Sequence, residues 1–193
     1  LLICDNLLDF SHLSFVHEST LGGSTRIAQA VPVIEKVDGP GMPGIKVSRH
    51  VHDVPAPPFY QRFRSFDSHL DRWFVYEFLL PATLLMHSGG RPVTDAPDDL
   101  TRAVQLHSCQ TLTPETATTT HYFFQQSHRT GHGDASVTDS IYNSLVGAFE
   151  EDRDMITAQH RNIALKPDAP MLPLAMDSAL TQFRRLLDQR PEA

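Results

Sequence analysis

The opening segment of the chain is the feature that most constrains its fold. From Asn6 to His17 it reads Asn-Leu-Leu-Asp-Phe-Ser-His-Leu-Ser-Phe-Val-His, so two histidines and an acid lie among six large apolar side chains. Burying one such polar group without a partner costs about 2–7 kcal/mol. The fold must therefore supply partners for Asp9, His12 and His17, and we expect the two histidines to hold a metal ion.

Residues 6–17 are predicted to form a helix. Asn6 can act as the N-cap, because its side chain can accept from the first free backbone amides. Leu8, His12 and Phe15 fall at i, i+4 and i+7, which is one helical face. His12 is therefore predicted to lie on the apolar stripe, where a histidine satisfied by hydrogen bonds in the core is the alternative to a metal ligand.

The spacing between the two histidines restricts this helix further. His12 and His17 are five residues apart, which separates them by about 140° around a regular helix. Both can reach one metal ion only if the helix is distorted or ends there. The Gly22-Gly23 pair that follows favours an early end.

The rest of the chain predicts a single α+β domain over residues 1–193, with an antiparallel sheet and a long, late helix packed across one face. The turn at 38–44 favours an antiparallel first pair of strands, and the change to a helical period begins at about residue 134. Strands are predicted at 25–36, 44–54, 72–80, 82–88, 101–112 and 117–127, and a last helix is predicted at 175–189, before a charged tail.

Composition excludes several classes of protein. The net charge is −7 and the basic residues are scattered, which argues against nucleic acid and an anionic membrane surface as partners. No apolar run approaches the ~20 residues of a membrane span. Cys4 and Cys109 are the only cysteines, which fits a reducing, cytoplasmic location and excludes a disulfide framework. Sequence signatures of a nucleophile elbow, a P-loop and a dinucleotide-binding turn are absent.

The late helix carries an acidic run at 150–154, and one member of it falls on the apolar stripe. Glu150 and Glu151 point about 100° and 200° away from Phe149 around the helix, whereas Asp152 follows the stripe. A buried carboxylate needs hydrogen bonds, a cation or a metal, so Asp152 is a candidate ligand, with a capped or ion-paired acid as the alternative. The stripe consists of Ile141, Leu145, Phe149, Asp152 and Ile156.

Two neutral imidazoles and one carboxylate form the facial triad of non-haem Fe(II) oxygenases, which leaves coordination positions open beside the metal. A second histidine pair, His50 and His52, copies the first half of the cupin metal motif. A cupin would supply a glutamate after three or four further residues, where this chain has Ala56 and Pro57. We therefore expect His50 and His52 to face solvent or line a pocket.

Three ordered segments carry a family resemblance. Residues 6–17 resemble the Asp-x2-His-x4-His motif of Rieske non-haem iron oxygenases, and residues 107–124 and 149–159 resemble the vanillate and dicamba O-demethylase branch, as does the less specific 70–73. The resemblance implies a helix-grip fold, mononuclear Fe(II), and iron ligation by His12, His17 and Asp152.

The resemblance also implies roles for two further residues of the opening segment. Asp9 matches the carboxylate that bridges an iron-ligand histidine to a histidine of the Rieske cluster in the next subunit, and Asn6 matches a position near the iron. A homotrimer and a reductase component of the flavin or ferredoxin type are implied as well.

One part of the family pattern is missing from this sequence. The Rieske [2Fe-2S] cluster needs Cys-x-His and Cys-x-x-His pairs, and neither occurs here. We therefore expect residues 1–193 to be the catalytic domain alone, a fragment that binds iron but does not turn over with NADH and reductase.

The expected reaction is O2-dependent hydroxylation or O-demethylation of a vanillate-like aromatic acid. The predicted strand at 117–127 places Thr119, His121 and Phe123 on one face, and the resemblance puts His121 near the substrate carboxylate. Asn143 is expected to line the same pocket. The alternative from another class is a helix-grip module that binds an apolar small molecule without metal.

Overall fold

The fold is built on one antiparallel sheet with its helices on one face. The computed structural model describes residues 1–39, 42–129, 135–170, 172 and 174–189. Six strands follow one another in the sheet in chain order. The elements are α1 (Leu2–Leu8), a 3-10 turn (Phe10–His12), α2 (Leu13–Val16), α3 (Thr25–Gln29), β1 (Val33–Gly39), β2 (Met42–Val54), α4 (Pro58–Gln61), β3 (Leu70–Leu79), β4 (Thr83–Pro92), β5 (Val104–Pro114), β6 (Thr120–His128), α5 (Ala135–Leu165), a second 3-10 turn (Ala175–Asp177) and α6 (Ser178–Asp188).

Strict alternation in the central strand β3 decides which face of the sheet is covered. Leu70, Arg72, Phe74, Tyr76 and Phe78 are all buried on one face, as the two-residue period of a strand requires. The buried side chains of α1, α3 and α6 pack on this face over the first strands of the sheet. Burying one face in this way is the usual arrangement of an antiparallel sheet.

The long helix α5 covers the other end of the same face. It buries Ile141, Leu145 and Asp152, and the ring of Phe149 lies 5.1 Å from that of Tyr122 and 4.8 Å from that of Phe124 on β6. The predicted stripe is therefore the face of α5 that meets the sheet.

The α+β class, the antiparallel sheet and the long late helix are confirmed. Among the described elements, β2 to β6 correspond to predicted strands, and α6 lies within the predicted last helix. The predicted turn at 38–44 lies partly outside the described residues, and so do the predicted helix start at about residue 134 and the tail after 189. No described helix combines the length and the hydropathy that a bilayer span requires.

Two local predictions were wrong. Residues 6–17 do not form one helix, and Asn6 is not an N-cap, because it lies inside α1 and its side chain bonds elsewhere. The strand predicted at 25–36 is split: Ser24 caps α3 by accepting from the backbone N–H of Ile27, and β1 begins only at Val33. A side-chain cap therefore outweighed the β-like pattern of this segment.

Candidate metal centre

The structure brings His12, His17 and Asp152 together, although 135 residues separate the last two. One ligand atom from each lies within 4.8 Å of the others. Oδ1 of Asp152 is 3.0 Å from Nε2 of His17 and 3.5 Å from Nε2 of His12. This is the one group of three or more metal-binding side chains of this kind found in the part of the chain that the structure describes.

Breaks in the helix solve the problem of the five-residue spacing. His12 ends a 3-10 turn, α2 lasts only four residues, and His17 is its C-cap with φ −113° and ψ 27°. The two imidazole rings lie 5.1 Å apart at 73° to each other, so both can face one point. The backbone at Gly22 closes the turn by donating to the carbonyl of His17 at 3.0 Å.

The second nitrogen of each imidazole is already engaged. Nδ1 of His12 contacts the backbone carbonyl of Asp9, and Nδ1 of His17 lies 2.7 Å from Oε2 of Glu151. Both partners can only accept a hydrogen bond, so each Nδ1 must carry the hydrogen. In the neutral rings the lone pair is then on Nε2, which points toward Asp152.

Burial and the contacts within the cluster shift the pKa values of its three side chains. Burial lowers the pKa of His12 and favours its neutral form. Burial opposes the charged form of His17 too, but hydrogen bonds to Asp152 and Glu151 outweigh it and raise the pKa of His17. Burial likewise acts to raise the pKa of Asp152, and the hydrogen bonds from His17 and Asn6 hold it below its usual range. Nε2 of His17 and Oδ1 of Asp152 lie 3.0 Å apart, and a divalent cation bound by both would require Nε2 to be free of a proton.

The structure places Asn6 against the cluster and Asp9 beside it. Nδ2 of Asn6 donates to Oδ1 of Asp152 at 2.9 Å. The carboxylate of Asp9 accepts from the backbone N–H of Ser11 at 2.8 Å and from its hydroxyl, so it caps the 3-10 turn. The contact with His12 uses the backbone carbonyl of Asp9 and not its carboxylate.

We expect Asn6→Ala to weaken metal binding while leaving the fold intact. Asp152 would lose the one neutral donor that fixes its carboxylate, which corresponds to the roughly 10–100-fold loss of affinity seen when partners of metal ligands are removed. Titration of Fe(II) under anaerobic conditions measures the change, with Asn143→Ala on the outside of α5 as the control. Equal affinities in both variants would contradict the role of Asn6.

Glu151 is a contact that the sequence did not reveal. Its Oε2 accepts from Thr20 Oγ1 at 2.9 Å as well as from His17 Nδ1. Glu150 and Glu151 both lie off the apolar stripe of α5, so periodicity cannot tell which of them is functional. What distinguishes Glu151 from Glu150 is its contact with Thr20 in the loop after α2. The position of that loop could not be predicted from the sequence.

His121 is not brought to the cluster. Alternate residues of β6 face α5, and these include Tyr122 and Phe124. His121 therefore lies on the other face with its side chain 55% exposed and Nε2 3.5 Å from Oε1 of Glu115. The predicted strand is present, and His121 and Phe123 share a face as expected; that face is turned away from α5.

The inner face of β5 and β6 carries a chain of polar groups that the sequence reasoning missed. The hydroxyl of Tyr122 donates to Oε1 of Gln110 at 2.6 Å, and Nε2 of Gln110 donates to Oγ of Ser108 at 2.9 Å. Gln110 and Ser108 are buried. The ring of Tyr122 lies 5.1 Å from that of Phe149, three residues before Asp152 on α5, and burial together with the charge of Asp152 raises the pKa of Tyr122.

Asn143 lies on the outside of α5. It is exposed and lines a polar groove of about 330 Å³. Thr20, the partner of Glu151, lines the same groove, so the groove reaches the back of the cluster but not the ligand atoms. The remaining lining residues are Ser19, Arg62, Ser140, Ser144 and Gly147.

The other histidine pair faces outward, as expected. His50 and His52 are exposed and line a shallow groove of about 270 Å³ on the uncovered face of the sheet. Nδ1 of His52 lies 3.3 Å from Oδ1 of Asp71, and Nη2 of Arg91 lies 2.7 Å from Oδ2 of the same carboxylate. Among the described residues the pair does not join a third metal ligand.

Comparisons with known proteins identify relatives of this chain. Residues 1–193 match the family described as vanillate O-demethylase oxygenase C-terminal domain. The chain is 41% identical over 191 residues to a putative toluene-4-sulfonate monooxygenase system iron-sulfur subunit of Comamonas testosteroni, covering 97% of this chain and 55% of that protein. It is 30% identical over 197 residues to a vanillate O-demethylase oxygenase subunit of Pseudomonas sp., covering 97% and 58%.

A solved structure has the same fold. The crystal structure of dicamba monooxygenase bound to 3,6-dichlorosalicylic acid superposes with a TM-score of 0.79 at 20% identity, covering 97% of this chain and 54% of the other. At that identity the likeness concerns the fold. The chain spans little more than half the length of each protein that it matches.

Proposed function

The chain belongs to the vanillate O-demethylase oxygenase C-terminal domain family, and on that premise we propose that it is the catalytic domain of a Rieske-type aromatic oxygenase that holds mononuclear Fe(II) at His12, His17 and Asp152. One observation carries the proposal: two imidazole nitrogens and a carboxylate oxygen converge within 4.8 Å. Their outer nitrogens are already bound to Asp9 and Glu151, so the rings are held ready for a cation.

The donor set fits ferrous iron. Two neutral imidazoles and one carboxylate are the facial set of non-haem Fe(II) oxygenases. Bound there, Fe(II) would supply the redox chemistry that activates dioxygen. Asn6 keeps the Asp152 carboxylate in place, and the ring of buried Phe10 lies 6.5 Å from that of His12.

We propose that electrons reach the site from a Rieske [2Fe-2S] cluster that this sequence does not encode. The sequence contains neither a Cys-x-His nor a Cys-x-x-His pair, and its relatives are longer proteins named as iron-sulfur or oxygenase subunits. Asp9 supports this route because its carboxylate lies at the start of the turn that ends in His12. A homotrimer would bring the cluster of a neighbouring subunit to Asp9, and a reductase component would supply it.

The proposed substrates are aromatic acids that carry a methyl or methoxy group. Oxygenation of a methoxy carbon consumes O2, two electrons and two protons; one oxygen atom leaves as water and the hemiacetal collapses to a phenol and formaldehyde. The names of the relatives support carboxylate and sulfonate acids as the class. Asn143 and His121 stay proposed substrate contacts: Asn143 lines the outer groove and His121 lies on the outer face of β6, so neither reaches the ligand atoms from within one chain.

Hydrogen peroxide tests the activity without the missing cluster, because it supplies both the oxygen atom and the electrons. We expect the Fe(II)-loaded protein to release formaldehyde from vanillate, or to hydroxylate the methyl group of toluene-4-sulfonate, and Asp152→Ala to form no product. With NADH and a reductase in place of peroxide, this chain alone should not turn over. Product from Asp152→Ala at the wild-type rate, or sustained NADH-driven turnover, would contradict the proposal.

A further inference from the structure

Two adjacent residues of α5 contact the two ring nitrogens of one histidine. Glu151 lies 2.7 Å from Nδ1 of His17, and Asp152 lies 3.0 Å from Nε2. The His17 side chain is only 1% exposed, so this ring has no solvent to serve as a partner. The imidazole is therefore fixed from both sides by one turn of one helix.

The carboxylate of Glu151 is itself held in place. Its Oε2 accepts from the hydroxyl of Thr20 at 2.9 Å in addition to Nδ1 of His17. Thr20 lies in the loop that follows α2, so the contact joins this loop to α5. The Glu151 side chain is 34% exposed, which allows its second oxygen to remain hydrated.

We propose that Glu151 is the positioning residue of the metal centre, with Thr20 orienting its carboxylate. This inference rests on the proposed metal function of His17 and Asp152. By accepting from Nδ1, Glu151 fixes the tautomer of His17 and the plane of its ring, and its negative charge makes Nε2 a stronger donor to a cation. It does not touch the reacting atoms and acts only through His17.

The two histidines of the cluster differ in this respect. His12 uses a backbone carbonyl, which is neutral and which no substitution removes. His17 uses a charged side chain that can be replaced. Replacing Glu151 therefore measures what a charged hydrogen-bond partner contributes at His17. His12, whose partner stays the same, serves as an internal reference.

The test compares Glu151→Ala and Glu151→Gln with the control Glu150→Gln, an exposed neighbour on the same helix. Affinity for Co(II) and the ligand-field spectrum of the Co(II) protein are measured on variants whose thermal unfolding is cooperative. We expect Glu151→Ala to lose about 10–100-fold in affinity. Glu151→Gln should lose less, because its amide oxygen still accepts from Nδ1, and Glu150→Gln should match the wild type.

Proton NMR of the Co(II) protein adds a readout that a purely structural role would not change. In the wild type, His12 and His17 should each give a shifted, exchangeable ring N–H signal. In Glu151→Ala only the His12 signal should persist, because the His17 proton loses its acceptor. If Glu151→Ala fails to fold, the isosteric Glu151→Gln takes its place in the test. A Co(II) affinity lower than that of Glu150→Gln supports the positioning role, and an equal affinity refutes it.

The possible failures are distinguishable. If the wild type binds neither Co(II) nor Fe(II), the proposed function fails. If the wild type binds metal and Glu151→Ala shows the same affinity, spectrum and N–H signals, the metal site stands and the positioning role of Glu151 is refuted.

Discussion

Asp152→Ala is expected to abolish iron binding in a protein that still folds. The substitution removes the only carboxylate of the cluster and leaves two imidazoles, which reduces three ligands to two and removes the negative charge that balances a divalent ion. The loss should exceed the roughly 10–100-fold effect of removing an outer partner. Iron per chain, measured after anaerobic loading and desalting, should fall from one to background.

The control for this prediction is Asp154→Ala. Asp154 is an exposed acid two residues further along α5, with its described ion pair to Arg153 at 3.3 Å, so its removal changes the charge of the chain equally without touching the cluster. Asp154→Ala should keep one iron per chain. Full iron occupancy in Asp152→Ala would remove this residue from the ligand set.

Gly23→Ala is expected to cause the second largest effect, on stability and metal binding together. A Cβ at Gly23 would lie 1.9 Å from the carbonyl oxygen of Leu13 and 2.5 Å from Cα of Ser14. Both are backbone atoms of α2, so no side chain can move aside and the helix leading to His17 must shift. A cost above about 3 kcal/mol is expected, in the upper range for single substitutions. The midpoint of urea unfolding and the Fe(II) affinity should both fall.

Gly147→Ala provides the matched control. A Cβ at Gly147 would meet nothing within 4 Å, and alanine is favoured over glycine inside a helix by about 0.5–1 kcal/mol. The control should therefore be slightly more stable than the wild type and bind metal equally. Wild-type stability and affinity in Gly23→Ala would show that α2 does not need this close approach.

Periodicity predicted the parts of the site that lie in regular structure. Asp152 follows the apolar stripe of α5, and that stripe meets the sheet because a regular helix keeps its angular spacing over many residues. The positions of β2 to β6 along the chain could be predicted too, since alternation and turn residues are local signals.

The parts that failed depend on contacts between residues far apart in the chain. Asparagine is a residue type that often caps helices, but the side chain of Asn6 donates to Asp152, 146 residues away. Alternation in β6 separates two faces without telling which of them meets α5, and the face with His121 and Phe123 is turned away from that helix. Phe123 is 57% exposed, and an aromatic side chain in a strand gives no sign of that beforehand.

The ligand set of the metal is tested most directly by diffraction. Crystals of the Fe(II)-loaded protein, measured on both sides of the iron absorption edge, should show one anomalous peak among Nε2 of His12, Nε2 of His17 and the carboxylate of Asp152. The absence of an anomalous peak at that point, in a protein that binds iron elsewhere or binds an aromatic acid without iron, would contradict the account and favour a metal-free binding module.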